Sequence, residues 1–135
     1  MSAGYSQRPL AAKLGLKAGM RALLISPPPG YLSILAAPDE VEWSGDLDQP
    51  LDFIQAFFKQ RTELEARFPA LKELLAPNGM LWISWLKQAA KVPTDLDENA
   101  VREIGLAGGL VDVKIAAIDA AWSGLKFVYR LKDRA

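Results

Sequence analysis

The sequence predicts a three-layer α/β domain in which a mostly parallel sheet ends in an antiparallel β-hairpin. Three observations carry that expectation. Apolar runs of strand length recur at 20–25, 52–58 and 80–85. Segments of helical composition or helical apolar spacing stand between them. The last two runs, 111–118 and 125–131, alternate apolar with polar residues and are joined by a connection too short for a crossover.

Taken in order, Pro9-Leu10-Ala11-Ala12-Lys13-Leu14 reads as a short helix, with proline in its first turn and Gly15 as its stop. Residues 20–25 form the first strand, after which Ser26 and Pro27-Pro28-Pro29-Gly30 break the chain abruptly. Tyr31-Leu32-Ser33-Ile34-Leu35 supplies one or two helical turns, and Val41-Glu42-Trp43 a short strand. The next segment has two readings. Leu51, Ile54, Phe57, Phe58, Leu64, Phe68, Leu71 and Leu75 recur at helical spacing, so one long helix from Pro50 is open. Yet 52–58 is dense in aromatic and branched residues, whereas 59–65 is better helix material. We take 52–58 as strand and 60–75 as helix.

Pro77-Asn78-Gly79 is expected to end that helix in a turn with positive φ, ahead of the buried strand 80–85. Thr94 with Asp97 three residues on makes a variant capping box for a helix over 95–107, which Gly108-Gly109 stops. Ala120-Ala121-Trp122-Ser123-Gly124 is then the connection of the hairpin.

Composition bounds the function. The 135 residues are expected to form one domain with its own core. Lys+Arg and Asp+Glu both total 16 and no basic stripe runs along the chain, so no nucleic-acid partner is expected. No apolar run approaches the roughly 20 residues needed to cross a bilayer, and no membrane partner is expected. The N-terminal residues lack the charged and apolar regions of a signal peptide, which makes the cytoplasm the expected compartment. There is no Cys and no His. Disulfides, thiol nucleophiles, thiolate metal sites and every Ser-His or Cys-His arrangement are thereby excluded. Any chemistry would rest on carboxylates, Lys, Tyr, Ser/Thr or a bound cofactor.

Leu14-Gly15-Leu16-Lys17-Ala18-Gly19-Met20-Arg21 resembles the lead-in to the first strand of class I S-adenosylmethionine-dependent methyltransferases, whose sheet is Rossmann-like. Leu75-Ala76-Pro77-Asn78-Gly79-Met80-Leu81 resembles their turn into the fifth strand, and the terminal hairpin is similar too. Gly4-Tyr5-Ser6, the 9–15 stretch, Pro93-Thr94-Asp95-Leu96 and Trp122-Ser123-Gly124-Leu125-Lys126 resemble a bacterial family of short proteins known as a domain of unknown function. That second resemblance spans nearly the whole chain. It implies a truncated methyltransferase-like fold and no particular activity.

Three departures fall where that fold would hold its cofactor. The turn after the first strand has one glycine and three prolines, which lack an N–H. Trp43-Ser44-Gly45 ends the second strand where a ribose-binding acid is expected, and Asp46 comes late. Phe57-Phe58-Lys59 offers a cation where an acid would stand. No cofactor and no metal ion are expected; Asp95 and Asp97 are explained by helix capping.

Ligands of open α/β sheets bind beyond the strand ends. This places the candidate crevice at Ser26, Gly30, Tyr31, Trp43, Asp46, Lys59, Trp85, Lys87, Asp119 and Trp122. Lys59 and Lys87 could together hold an anion, or simply be solvated. Trp82 and Trp43 are expected in the core. The 44–51 connection is too short for a crossover helix, leaving a sheet edge uncovered, and a homodimer is the expected cover. The function expected is a non-catalytic binding or regulatory module with a small anionic ligand or protein partner. A minimal S-adenosylmethionine- or nucleotide-dependent transferase is the alternative. As an enzyme, the chain would turn Asp46 or Asp119 into the crevice beside Trp85; as a scaffold, it would fill the crevice with the Pro27–Pro29 turn and aromatic side chains.

Overall fold

The computed structural model describes residues 8–44 and 50–134. Its elements are α1 (Leu10–Leu14), β1 (Arg21–Ile25), α2 (Tyr31–Leu35), β2 (Glu42–Trp43), β3 (Leu51–Phe58), α3 (Arg61–Leu74), β4 (Leu75–Leu86), α4 (Glu98–Ala107), β5 (Leu110–Ala117) and β6 (Trp122–Tyr129). The strands form one six-stranded sheet ordered β2-β1-β3-β4-β6-β5. Pairings from β2 through β4 are parallel, and β6 joins both β4 and β5 antiparallel.

The segment with two readings is thus a strand. Along β3, Phe53 and Phe57 enter one core while Ile54, Ala56 and Phe58 enter the other. A strand covered on both faces is apolar at nearly every position, so it matches a helical period by accident. Over one face lie α3 and α4, whose Leu64, Phe68, Leu71, Val101 and Ile104 pack on Leu81, Ile83, Leu125 and Phe127. Over the other lie α1 and α2, with Ala11, Leu14, Tyr31 and Leu35 packed against Met80, Trp82 and Trp122. These are the three layers.

Gly15 caps α1 in the left-handed region at φ 90 and sends its N–H back to Ala11 and Ala12 carbonyls, as the short helix requires. Four other expectations need correction. Asn78 and Gly79 do not adopt positive φ; they already belong to β4. Gly79 serves close approach instead, because a Cβ there would stand 2.7 Å from the Leu51 carbonyl oxygen, where the β3–β4 register shifts. Thr94 does not cap α4. Its hydroxyl donates to the Lys59 carbonyl at 2.6 Å, and Asp97 caps the helix by accepting from the Ala100 N–H at 2.8 Å.

The hairpin connection is shorter than its composition suggests, because Trp122, Ser123 and Gly124 lie inside β6. Asp119 makes the tight turn possible by accepting from the Ala121 and Trp122 N–H groups, each at 2.8 Å. At Gly124, inside that strand, a Cβ would press on Ile118 at 3.0 Å and on Trp82 at 3.1 Å. Trp43 lies outside the core, 43% exposed, on a two-residue edge strand that among the described residues pairs only with β1. Trp82 is wholly buried, and its indole N–H donates to the Leu14 carbonyl at 2.9 Å.

Candidate functional site

Because β1 pairs with β2 on one side and β3 on the other, the chain reverses its order of strands between β1 and β3. That switch point is where open α/β sheets hold ligands. Beyond the β1 end, Ser26 takes φ 55, an unusual backbone for a residue with a Cβ. The three prolines follow, then Gly30 at φ 77 opens α2. Beyond the β3 end come Lys59 and Gln60, the latter the N-cap of α3. Between them lies a pocket of about 400 Å³ lined by Ser26, the proline turn, Phe57, Lys59, Glu63 and Trp122.

Phe57 and Trp122 supply the aromatic part of this pocket's lining. Tyr31 stacks edge-on against Phe57 with centroids 4.9 Å apart, and Phe57 does the same against Trp122 at 5.1 Å. All three are buried. Behind them runs a line of polar groups with no access to water. The Tyr31 hydroxyl donates to Gln55 Oε1 at 2.7 Å, and Gln55 Nε2 donates to Ser84 Oγ at 3.1 Å. Gln55 and Ser84 are both 0% exposed. Burial holds the Tyr31 phenol well above its ordinary pKa; the bond to Gln55 offsets part of this and the nearby Asp119 charge adds to it. The tyrosine is therefore a neutral donor locked into the core.

Of the sequence candidates, the structure brings together Ser26, Lys59 and Trp122 around the pocket, with Gly30 and Tyr31 on the adjoining helix. Trp85 belongs to the opposite face: at an odd offset from Trp82 along β4, it packs with the α3–α4 core. Lys87 does not line the pocket with Lys59. Its ammonium donates to the Asp119 carbonyl at 2.8 Å, and its N–H to the Ala121 carbonyl. Asp119 turns its carboxylate to the backbone of the hairpin. Trp43 stands at the β2 edge. Asp46 lies outside the described residues. Lys59 has no hydrogen-bond or ion-pair partner for its ammonium among the described residues.

Gln55, Ser84 and Phe57 complete the site and were not singled out from the sequence. The signal for the first two was present: each is a lone polar residue inside an otherwise apolar stretch of strand, 53–58 and 80–86, and such residues are buried with a partner. A second cleft of about 460 Å³ lies between α3 and α4. Its charged groups already satisfy one another, Arg61 bonding Glu65 at 3.0 Å and Glu103 at 3.2 Å.

Comparison with solved structures identifies the architecture. A methyltransferase dependent on S-adenosylmethionine from Aquifex aeolicus shares 17% identity, covering 86% of this chain and 85% of its own, with a TM-score of 0.56. Magnesium protoporphyrin IX methyltransferase from Synechocystis, solved with S-adenosylmethionine bound, shares 13% over 90% of this chain and 74% of its own, with a TM-score of 0.58. A TehB-like methyltransferase from Corynebacterium glutamicum shares 13% over 94% and 90%, with a TM-score of 0.55. The chain thus has the class I methyltransferase fold, a Rossmann-like sheet closed by an antiparallel hairpin. No family model and no curated protein matches it.

Proposed function

We propose that this chain is a non-catalytic binding module on a methyltransferase-like scaffold. One observation carries the proposal: the space beyond β1 and β3 is occupied by the stacked Tyr31, Phe57 and Trp122, anchored through the buried Tyr31–Gln55–Ser84 line. The turn that would cradle a cofactor offers no N–H at three successive positions. These residues do not fit S-adenosylmethionine. What remains is a pocket of about 400 Å³, towards the small end of the roughly 300–1,000 Å³ usual for ligand sites. Its unpartnered Lys59 ammonium, in a lining shared with Ser26, suits a small anion.

The test is thermal unfolding with and without S-adenosylmethionine and its demethylated product at millimolar concentration. The melting temperature is expected to stay unchanged. A ligand at 100 times its dissociation constant would add about 2.7 kcal/mol, and a rise of that size would return the transferase reading. In the same proposal, a second copy covers the exposed β2 edge with its Trp43. Sedimentation as a monomer at micromolar concentration would remove that part.

A further inference from the structure

A cluster of lysines lies away from the pocket, where α1 meets the hairpin. Lys114 of β5 stands directly opposite Lys126 of β6, so both project from one face of the sheet. The Lys114 ammonium donates to the Lys13 carbonyl at 3.1 Å, and the Lys13 ammonium to the Ala117 carbonyl at 3.0 Å. Lys17, past the end of α1 and exposed, adds its charge to the same region. No carboxylate pairs with any of the four among the described residues.

The scarcity of counter-charge has a cause in the chain. The first acidic residue of the sequence is Asp39, so α1 and its flanks carry none. On the hairpin, Asp112 is bonded to Arg102 of α4, on the opposite face, and Asp119 is held in the turn. A net charge of zero therefore conceals a locally positive surface. Like charges directly opposite on paired strands are destabilising. Consistent with this crowding, burial together with Lys114 and Lys17 lowers the Lys126 pKa.

We propose that Lys13, Lys17, Lys114 and Lys126 form a binding site for a soluble small molecule bearing two or more phosphate groups. An ammonium has three donors, and Lys13 and Lys114 each use one on a carbonyl, which holds the head group in place while leaving two for a ligand. A single carboxylate brings one charge and two oxygens, too little for four cations. Linked phosphates bring several of each, and lysine binds them as a point charge without a fixed planar geometry. This site is independent of the strand-end pocket and of how that pocket is used.

The full chain is titrated calorimetrically with sodium tripolyphosphate at low ionic strength. One-to-one binding is expected, weakened about tenfold or more in the Lys114→Gln/Lys126→Gln double variant, as removal of two steering charges implies. Lys17→Gln, an exposed position, should weaken it by a smaller factor. Lys91→Gln, at an exposed position beyond β4 and outside the cluster, should leave it unchanged. The double variant should melt no lower than the parent, since it loses a like-charge pair, which separates loss of the site from loss of the fold. The proposal is overturned by absence of binding, by an equal loss in the Lys91 variant, or by binding to vesicles of phosphatidylglycerol without binding to soluble tripolyphosphate.

Discussion

Replacing Tyr31 by Phe removes one oxygen from a residue that is 1% exposed, and the consequence can be worked from its neighbours. The hydroxyl is the donor to Gln55 Oε1 at 2.7 Å, and Gln55 is itself fully buried between Tyr31 and Ser84. With the donor gone, a buried amide oxygen stays dehydrated and unpaired, a loss of about 1–3 kcal/mol. We take about 2 kcal/mol. For a chain between the small and mid-sized classes, that corresponds to a fall in Tm of roughly 6–8 °C. Tyr129→Phe is the internal control: its hydroxyl also donates, to the Lys72 carbonyl at 2.7 Å, but from a half-buried position where water can replace it. About 0.5–1 kcal/mol is expected there. Adding Gln55→Leu to Tyr31→Phe should cost less than the sum of the two single changes, because the orphaned oxygen leaves with its partner. Urea unfolding followed by tryptophan fluorescence measures the parent and the four variants. If Tyr31→Phe lies within 0.5 kcal/mol of the parent, or matches Tyr129→Phe, then water reaches Gln55. The crevice would not be filled, and the case against a cofactor there would lose its support.

The same core sets two further outcomes. Burial raises the folded-state pKa of Tyr31 above its unfolded value near 10, so the neutral phenol contributes stability that is fully present below about pH 10 and is lost as pH rises towards the folded value. The slope approaches about 1.4 kcal/mol per pH unit, and urea midpoints between about pH 8 and 11 should fall more steeply for the parent than for Tyr31→Phe; parallel curves would contradict the burial of the phenol. Gly105→Ala in α4 sets helix propensity, about 1 kcal/mol in favour of alanine, against overlap with the Phe127 ring, which is 0% exposed and braced edge-on by Phe68 at 5.9 Å. Overpacking of about 1–3 kcal/mol should win, giving a net loss that Phe127→Leu in the same chain partly relieves; guanidinium unfolding that finds Gly105→Ala more stable would show that the ring can move.

The sequence by itself determined the layers and their order. Apolar runs separated by helical segments require a sheet with helices on both faces, and a short connection between two alternating strands requires a hairpin. The crossing of the chain at 52–58 was legible only through residue type, because a strand buried on both sides loses the alternation that marks it. Glycine at 15 stopped a helix as its chemistry demands, whereas glycine at 79 and 124 answers a backbone oxygen and an indole ring from distant parts of the chain, which no local pattern records. The site divides in the same way. Ser26, the prolines and Lys59 follow strand ends, and their neighbourhood could be foreseen from topology. Which face each tryptophan enters could not, since a shift of one residue along β4 sends Trp82 and Trp85 to opposite cores. The Tyr31–Gln55–Ser84 line joins three elements, and the four lysines join residues about a hundred positions apart. Hydrogen bonds and Coulomb forces act through space between groups that folding brings together, so only the tertiary structure could decide them.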